Sequence, residues 1–140
     1  MTSEATPGIW HHVHEVRADE IDELGHVGNV YYLGWLIDAA TAHSSARGWP
    51  WPRYQALGAA FVVRRHELDY LRPAKLGDIV TVRTWVRSIA RASSVRAYEV
   101  VRGDETIMRA NTTWAFVALA SGAPCRIPDE LVGAFPRHDG

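Results

Sequence analysis

Residues 22–29 read DELGHVGN and stand directly ahead of the apolar segment VYYLGWLIDAA. A carboxylate (Asp22), an imidazole (His26) and an amide (Asn29) fall within eight residues, spaced by Gly25 and Gly28. An Asp in a loop before a helix commonly caps or turns the chain. The same Asp beside a helix N-terminus can do more. The first N–H groups of a helix lack acceptors and carry partial positive charge, so they can polarise a carbonyl and hold an oxyanion. His26 is either a base, an orienting group or a hydrogen-bonded part of the loop. Residue types alone leave these readings open.

Asp38 is a rival carboxylate, the only charged residue between Glu23 and Arg47. It lies nine residues past Asn29, about 14 Å further along a helix axis, so it cannot act on a carbonyl held by the N-terminal amides. The favoured reading of Asp38 is a charge paired across a dimer, for example with an arginine. In HHVH (11–14), His12 and His14 share one face of a strand, a spacing seen in metal sites, but no third ligand is evident nearby and no metal is expected. Cys125 is the only cysteine. It excludes an internal disulfide, fits a reducing cytoplasm and is read as structural or incidental.

These residues need elements to position them. From Asn29 to about Ser45 the pattern is helical and apolar nearly all round, with a narrow polar strip at Gly34, Asp38, Thr41 and Ser45. Such a helix must be buried nearly all round. It stops at RGWPWP (47–52), where Gly and Pro prevent continuation. Strands are expected at 10–18, 60–74, 78–87, 93–102 and 106–119, with 19–28 a polar loop and GDE (103–105) a turn. Val80, Val82, Thr84 and Val86 fall on one face, and Met108, Ala110, Thr112, Trp114 and Phe116 on another. Nine-residue strands reach about 30 Å, enough to curl around a helix of about 22 Å. The outer face would carry Thr81, Arg83, Trp85 and Arg87. An outward Trp85 and the rest of the helix would both be covered by a second copy, so a homodimer or homotetramer is expected. Residues 1–9 read as a flexible tail, 10–135 as a single domain and 136–140 as a C-terminal tail.

The global numbers fit one globular domain. The chain has 140 residues, 47% hydrophobic and 22% charged, with formal net charge −1. No basic run points to nucleic acid or an anionic membrane. No apolar segment has the length of a bilayer span, and the first residues lack the apolar core of a signal peptide. A cytoplasmic protein is expected.

The segment DELGHVGNVYYLGWLIDAA resembles the D-x-x-G-H-V-N-N-x-x-Y-L-x-W signature of hotdog-fold acyl thioesterases, and is most similar to the 4-hydroxybenzoyl-CoA thioesterase type. ELDYLRPAKLGDIVTV resembles the second characteristic segment of that family, and RIPDEL its usual ending. The resemblance covers roughly residues 10–131 and implies an α+β hotdog fold. In it a curved antiparallel sheet of about five strands wraps a long central helix, and subunits pair side by side. It also implies hydrolysis of an acyl-CoA or acyl carrier protein thioester, with no cofactor beyond the coenzyme A of the substrate. Asp22 takes the position of the catalytic carboxylate, as nucleophile or general base, with His26 and Asn29 beside it. The backbone N–H groups of Val27, Gly28 and Asn29 would stabilise the oxyanion. A Gly stands at position 28 where the family often has Asn, which removes one side-chain amide. Relatives draw phosphate-binding cations from the segment RSIARASS, so Arg91, Ser93 and Arg87 are the candidates here, ahead of Arg64, Arg65, Arg72 and Lys75. The acyl pocket falls to Tyr32, Trp35, Trp49 and Phe61, with Trp51 and Tyr54 nearby. The alternatives are a hotdog hydratase or dehydratase, whose D-x-N-P-x-H-like helix start is missing, and a non-catalytic acyl-binding module.

Overall fold

A computed structural model describes residues 2–139. The elements run β1 (Ser3–Thr6), β2 (Ile9–Glu15), a 3-10 turn (Ala18–Glu20), α1 (Asn29–Ala46), α2 (Trp51–Leu57), β3 (Ala59–Tyr70), β4 (Ile79–Ile89), β5 (Ser93–Arg102), β6 (Glu105–Ala118) and α3 (Asp129–Ala134). One antiparallel sheet has the order β1-β2-β4-β5-β6-β3. The class is α+β, with six strands rather than about five.

Period-two alternation builds the inner face. Val80 and Val82 of β4, Tyr98 and Val100 of β5, and Met108 and Ala110 of β6 pack against Tyr32, Trp35, Leu36 and Ala39 of α1. A second cluster closes the C-terminal half of α1: Trp49, Tyr54, Phe116, Ile127, Leu131 and Phe135. The connection after α1 is more than a stop. Pro50 caps α2 and Pro52 sits in its first turn, where a missing N–H breaks no helical bond.

Three expectations are corrected. Residues 3–6, read as part of a loose tail, pair with β2, and Glu4 reaches the C-terminal end of α1, where Arg47 and His43 donate to its carboxylate. The C-terminal residues also dock: Arg137 bridges to Val86, and the His138 N–H donates to the Val86 carbonyl at 3.0 Å. Trp85 therefore needs no second copy to cover it. It is buried within one chain beside Ile9 and Ala97, with the His138 ring 6.4 Å away. The helix, by contrast, does keep an uncovered side. Val30 (76% exposed) and Tyr31 (40%) open a strip continued by Gly34, Asp38, Thr41 and Ser45.

Candidate active site

The loop before α1 is closed by its own backbone. Ile21 and Val27 form an antiparallel bridge, the Asp22 N–H donates to the His26 carbonyl at 2.8 Å, and the Gly25 N–H donates to the Asp22 carbonyl at 3.1 Å. Gly25 has φ +77°, a left-handed conformation that glycine adopts without steric cost. Asp22 Oδ1 accepts from the amides of Leu24 (2.9 Å) and His26 (3.2 Å). Its Oδ2 has no partner among the described residues and faces solvent. One carboxylate oxygen is thus anchored and the other is unpaired among the described residues.

The unpaired amides lie one position further along than expected. The Val27 N–H is taken by the Ala74 carbonyl and the Gly28 N–H by the Glu20 carbonyl, both at 2.9 Å. Val27 and Gly28 are therefore unable to serve within this chain. The amides of Asn29 and Val30, the first two of α1, have no acceptor among the described residues. They are orphan donors at the positive end of the helix dipole. Gly28 is the N-cap and provides no side-chain cap, so the missing amide at position 28 leaves this end open. Tyr70 crosses it, donating its hydroxyl to the Asn29 carbonyl at 3.2 Å.

Glu20, unnoticed in the sequence, is the buried carboxylate that supports this end. It is 2% exposed and accepts from the Trp35 indole (2.7 Å), His14 Nε2 (2.8 Å) and the Arg17 amide (2.9 Å). Burial alone would raise its pKa, but these three bonds outweigh it and hold the carboxyl below its usual range. His14 is thus occupied by Glu20, and His12 lies within the field of Asp38. No group of three side chains among the described residues can hold a metal ion. Asp38 is exposed and has no ion-pair partner among the described residues.

Tyr32 and Trp35 are core residues rather than pocket walls. The Tyr32 hydroxyl accepts from the Ala74 amide at 3.0 Å, and Trp35 is spent on Glu20. Trp49 and Phe61, with Trp51 and Tyr54, do line a cavity of about 180 Å³. It opens beside Thr41 and Ser45 in the C-terminal half of α1, some 18 Å along the helix from Asn29. Arg91 and Ser93 lie at the β4–β5 turn, close to the cavity residues Ile89 and Ser94, and Arg91 is exposed with no acceptor for its guanidinium among the described residues. Arg87 is not brought there: it is exposed and donates to Asn111 at 3.3 Å. One chain therefore separates the Asp22 loop from the apolar cavity.

Comparison with known proteins agrees with this architecture. The family model described as the thioesterase-like superfamily matches residues 16–135, and the chain belongs to that family. A hypothetical protein from Thermus thermophilus is 26% identical with a TM-score of 0.83, covering 89% of this chain and 95% of its own. A 1,4-dihydroxy-2-naphthoyl-CoA thioesterase from Synechocystis is 19% identical with a TM-score of 0.83, covering 91% and 95% respectively. A hypothetical protein from Staphylococcus aureus, solved in complex with CoA, is 15% identical with a TM-score of 0.85, covering 94% and 85%. At such identities the last two speak for the fold alone, the hotdog fold. No functionally curated protein matches the sequence. No helix among the described residues is long and apolar enough to cross a membrane.

Proposed function

We propose that this protein hydrolyses an acyl thioester of coenzyme A or of an acyl carrier protein, giving a free acid and a thiol. No cofactor is needed beyond the carrier that the substrate brings. The observation that carries this reading is the half-anchored carboxylate of Asp22 beside the unpaired amides of Asn29 and Val30. The thioester carbonyl oxygen would accept from those amides. Asp22 Oδ2 would then act in one of two ways. It attacks the carbonyl carbon, the C–S bond breaks, and water hydrolyses the resulting anhydride. Otherwise it takes a proton from a water that attacks the same carbon. In both routes negative charge builds on the carbonyl oxygen, where the helix end favours it. A thiol pKa of about 8.5 makes the thiolate a ready leaving group.

A second copy completes the site in this reading. β3 is an edge strand of 12 residues, with Val62, Val63 and Tyr70 all over 40% exposed. It runs opposite to α1: Tyr70 lies at Asn29, and Phe61 lies at the cavity beside Thr41. Antiparallel pairing of β3 with its copy sets the two α1 helices side by side in opposite directions. The Asp22 loop of one subunit then approaches the cavity of the other, and the exposed Val30 and Tyr31 gain a partner. A homodimer, or a homotetramer built from it, follows.

The test is thiol release from a panel of acyl-CoA and carrier-protein thioesters. Asp22→Asn should lower kcat by roughly a thousandfold, within the usual range for a positioned acid–base group, while Asp38→Asn stays within a few-fold of wild type. No thiol from any thioester, or full activity in Asp22→Asn, would overturn the proposal.

A further inference from the structure

The cavity beside α1 holds a cation with no counter-ion. Arg96 points inward from β5 and is 6% exposed. Its Nη1 donates to His43 Nδ1 at 2.9 Å and to Thr84 Oγ1 at 3.2 Å. Its Nε and Nη2 have no acceptor among the described residues, and the side chain lines the cavity. The Phe135 ring, 5.9 Å from the guanidinium carbon, offers only a π-face. No carboxylate among the described residues contacts Arg96.

The neighbouring charges do not balance it. His43 accepts from Arg96 at Nδ1, so its proton sits on Nε2 and is donated to Glu4 Oε2 at 2.8 Å. Burial, then the Arg96 charge, lower the imidazole pKa to about 4, so the ring is neutral near pH 7. Glu4 is already paired with Arg47. The connected cluster thus contains two guanidinium groups against one carboxylate and is short of one negative charge. A guanidinium does not shed its proton at physiological pH. Burying it without a partner is costly, and an anion entering the cavity would offset that cost.

The remaining walls are apolar, with Trp49, Tyr54, Phe61 and Leu131 among them. At about 180 Å³ the cavity exceeds the roughly 150 Å³ that encloses a benzene molecule, so it accommodates one aromatic ring or a short chain. We propose that the acyl group cleaved by this enzyme carries a carboxylate at the end remote from the thioester, and that Arg96 binds it at the floor of this cavity. The assignment rests on the thioesterase reading above and adds the class of acyl group. Arg96 contacts that group but not the reacting carbonyl.

The experiment compares glutaryl-CoA with its uncharged analogue 5-methylhexanoyl-CoA. Wild type should favour glutaryl-CoA by at least about tenfold in kcat/KM, the scale of a hydrogen bond to a charged group. Arg96→Met should bring the ratio near one through loss on glutaryl-CoA alone. Retained turnover of the uncharged substrate shows that the variant is folded. Arg96→Lys should keep part of the preference. Equal kcat/KM in wild type, or a ratio unmoved in Arg96→Met, overturns the proposal. A second arm needs no hydrolysis: benzoate and benzamide are titrated into the full-length protein and Tm is followed. Benzoate should raise the Tm of wild type but not of Arg96→Met, and benzamide should act alike on both. Absence of thiol release with a benzoate-specific shift would sink the thioesterase reading and leave the anion site standing. No benzoate effect on wild type would sink the anion site.

Discussion

Acid should destabilise this protein through His43. The ring is fully buried, and its pKa falls from 6.5 to about 4, first because burial disfavours the imidazolium and next because Arg96 repels it. The bond to Glu4 opposes both without prevailing. In the unfolded chain the same ring takes up its proton near pH 6.5. Between the two values the unfolded state binds more protons, so stability falls as pH falls through that window. At about 1.36 kcal/mol per pH unit the loss reaches roughly 3 kcal/mol near pH 4. Glu4 extends the decline: burial would raise its pKa, but bonds from Arg47, the Gly8 amide and His43 bring it down from 4.5 to about 2. Its contribution is present above pH 4.5 and is lost as pH drops toward 2. The assay is urea unfolding followed by tryptophan fluorescence in half-unit steps from pH 7.5 to 4. In His43→Gln an amide can accept from Arg96 and donate to Glu4 without titrating, so the slope should flatten by about 3 kcal/mol over the window. Burial also lowers His11, His12 and His66, which leaves a residual slope in the variant. A wild type whose stability is flat from pH 7 to 4, or a His43→Gln variant with the wild-type slope, refutes the reasoning.

Three further outcomes follow from the geometry. Trp35→Phe removes the indole donor from a buried carboxylate oxygen of Glu20, and equilibrium unfolding should show a loss of about 1.5–3 kcal/mol, the worth of a hydrogen bond to a charged group. Gly25→Ala forces a side chain into φ +77° at a cost of about 1–2 kcal/mol, and because the loop holds Asp22, kcat should fall more than KM rises. Thr41→Trp fills the cavity mouth from an exposed helix position, so KM for short acyl-CoAs should rise by roughly tenfold while Tm moves by only a few degrees.

The elements with a clean period were readable from residue types. β5 ends at the expected residues 93 and 102, and α1 differs from its expected span by one residue, because alternation and a long apolar run leave little freedom. The parts missed depend on partners remote in sequence. β1 has four polar or small residues and no alternation to show; it is held by β2 and by the reach of Glu4 to Arg47. The Trp-Pro pair reads as a stop because proline blocks a helix interior, yet it starts α2. At the site, the turn that precedes α1 was legible from glycine spacing and the apolar run that follows, whereas the role of Asp22 came from the family resemblance. That the Val27 and Gly28 amides are occupied was not, since their acceptors belong to Ala74 and Glu20. Arg96 left a trace that went unused: Ser94, Arg96, Tyr98 and Val100 alternate onto the buried face, and a cation in such a row marks either a pair or a binding site.

The four-residue β1 has a consequence for assembly. It finishes one side of the sheet with a short strand, while β3 leaves the other side open along its whole length. In the dimer proposed above, joining two copies through β3 would use up the only long exposed edge among the described residues of each. What would remain at either extremity is a stub too brief to template another chain, so edge-to-edge addition would halt at a closed pair instead of propagating into a fibre.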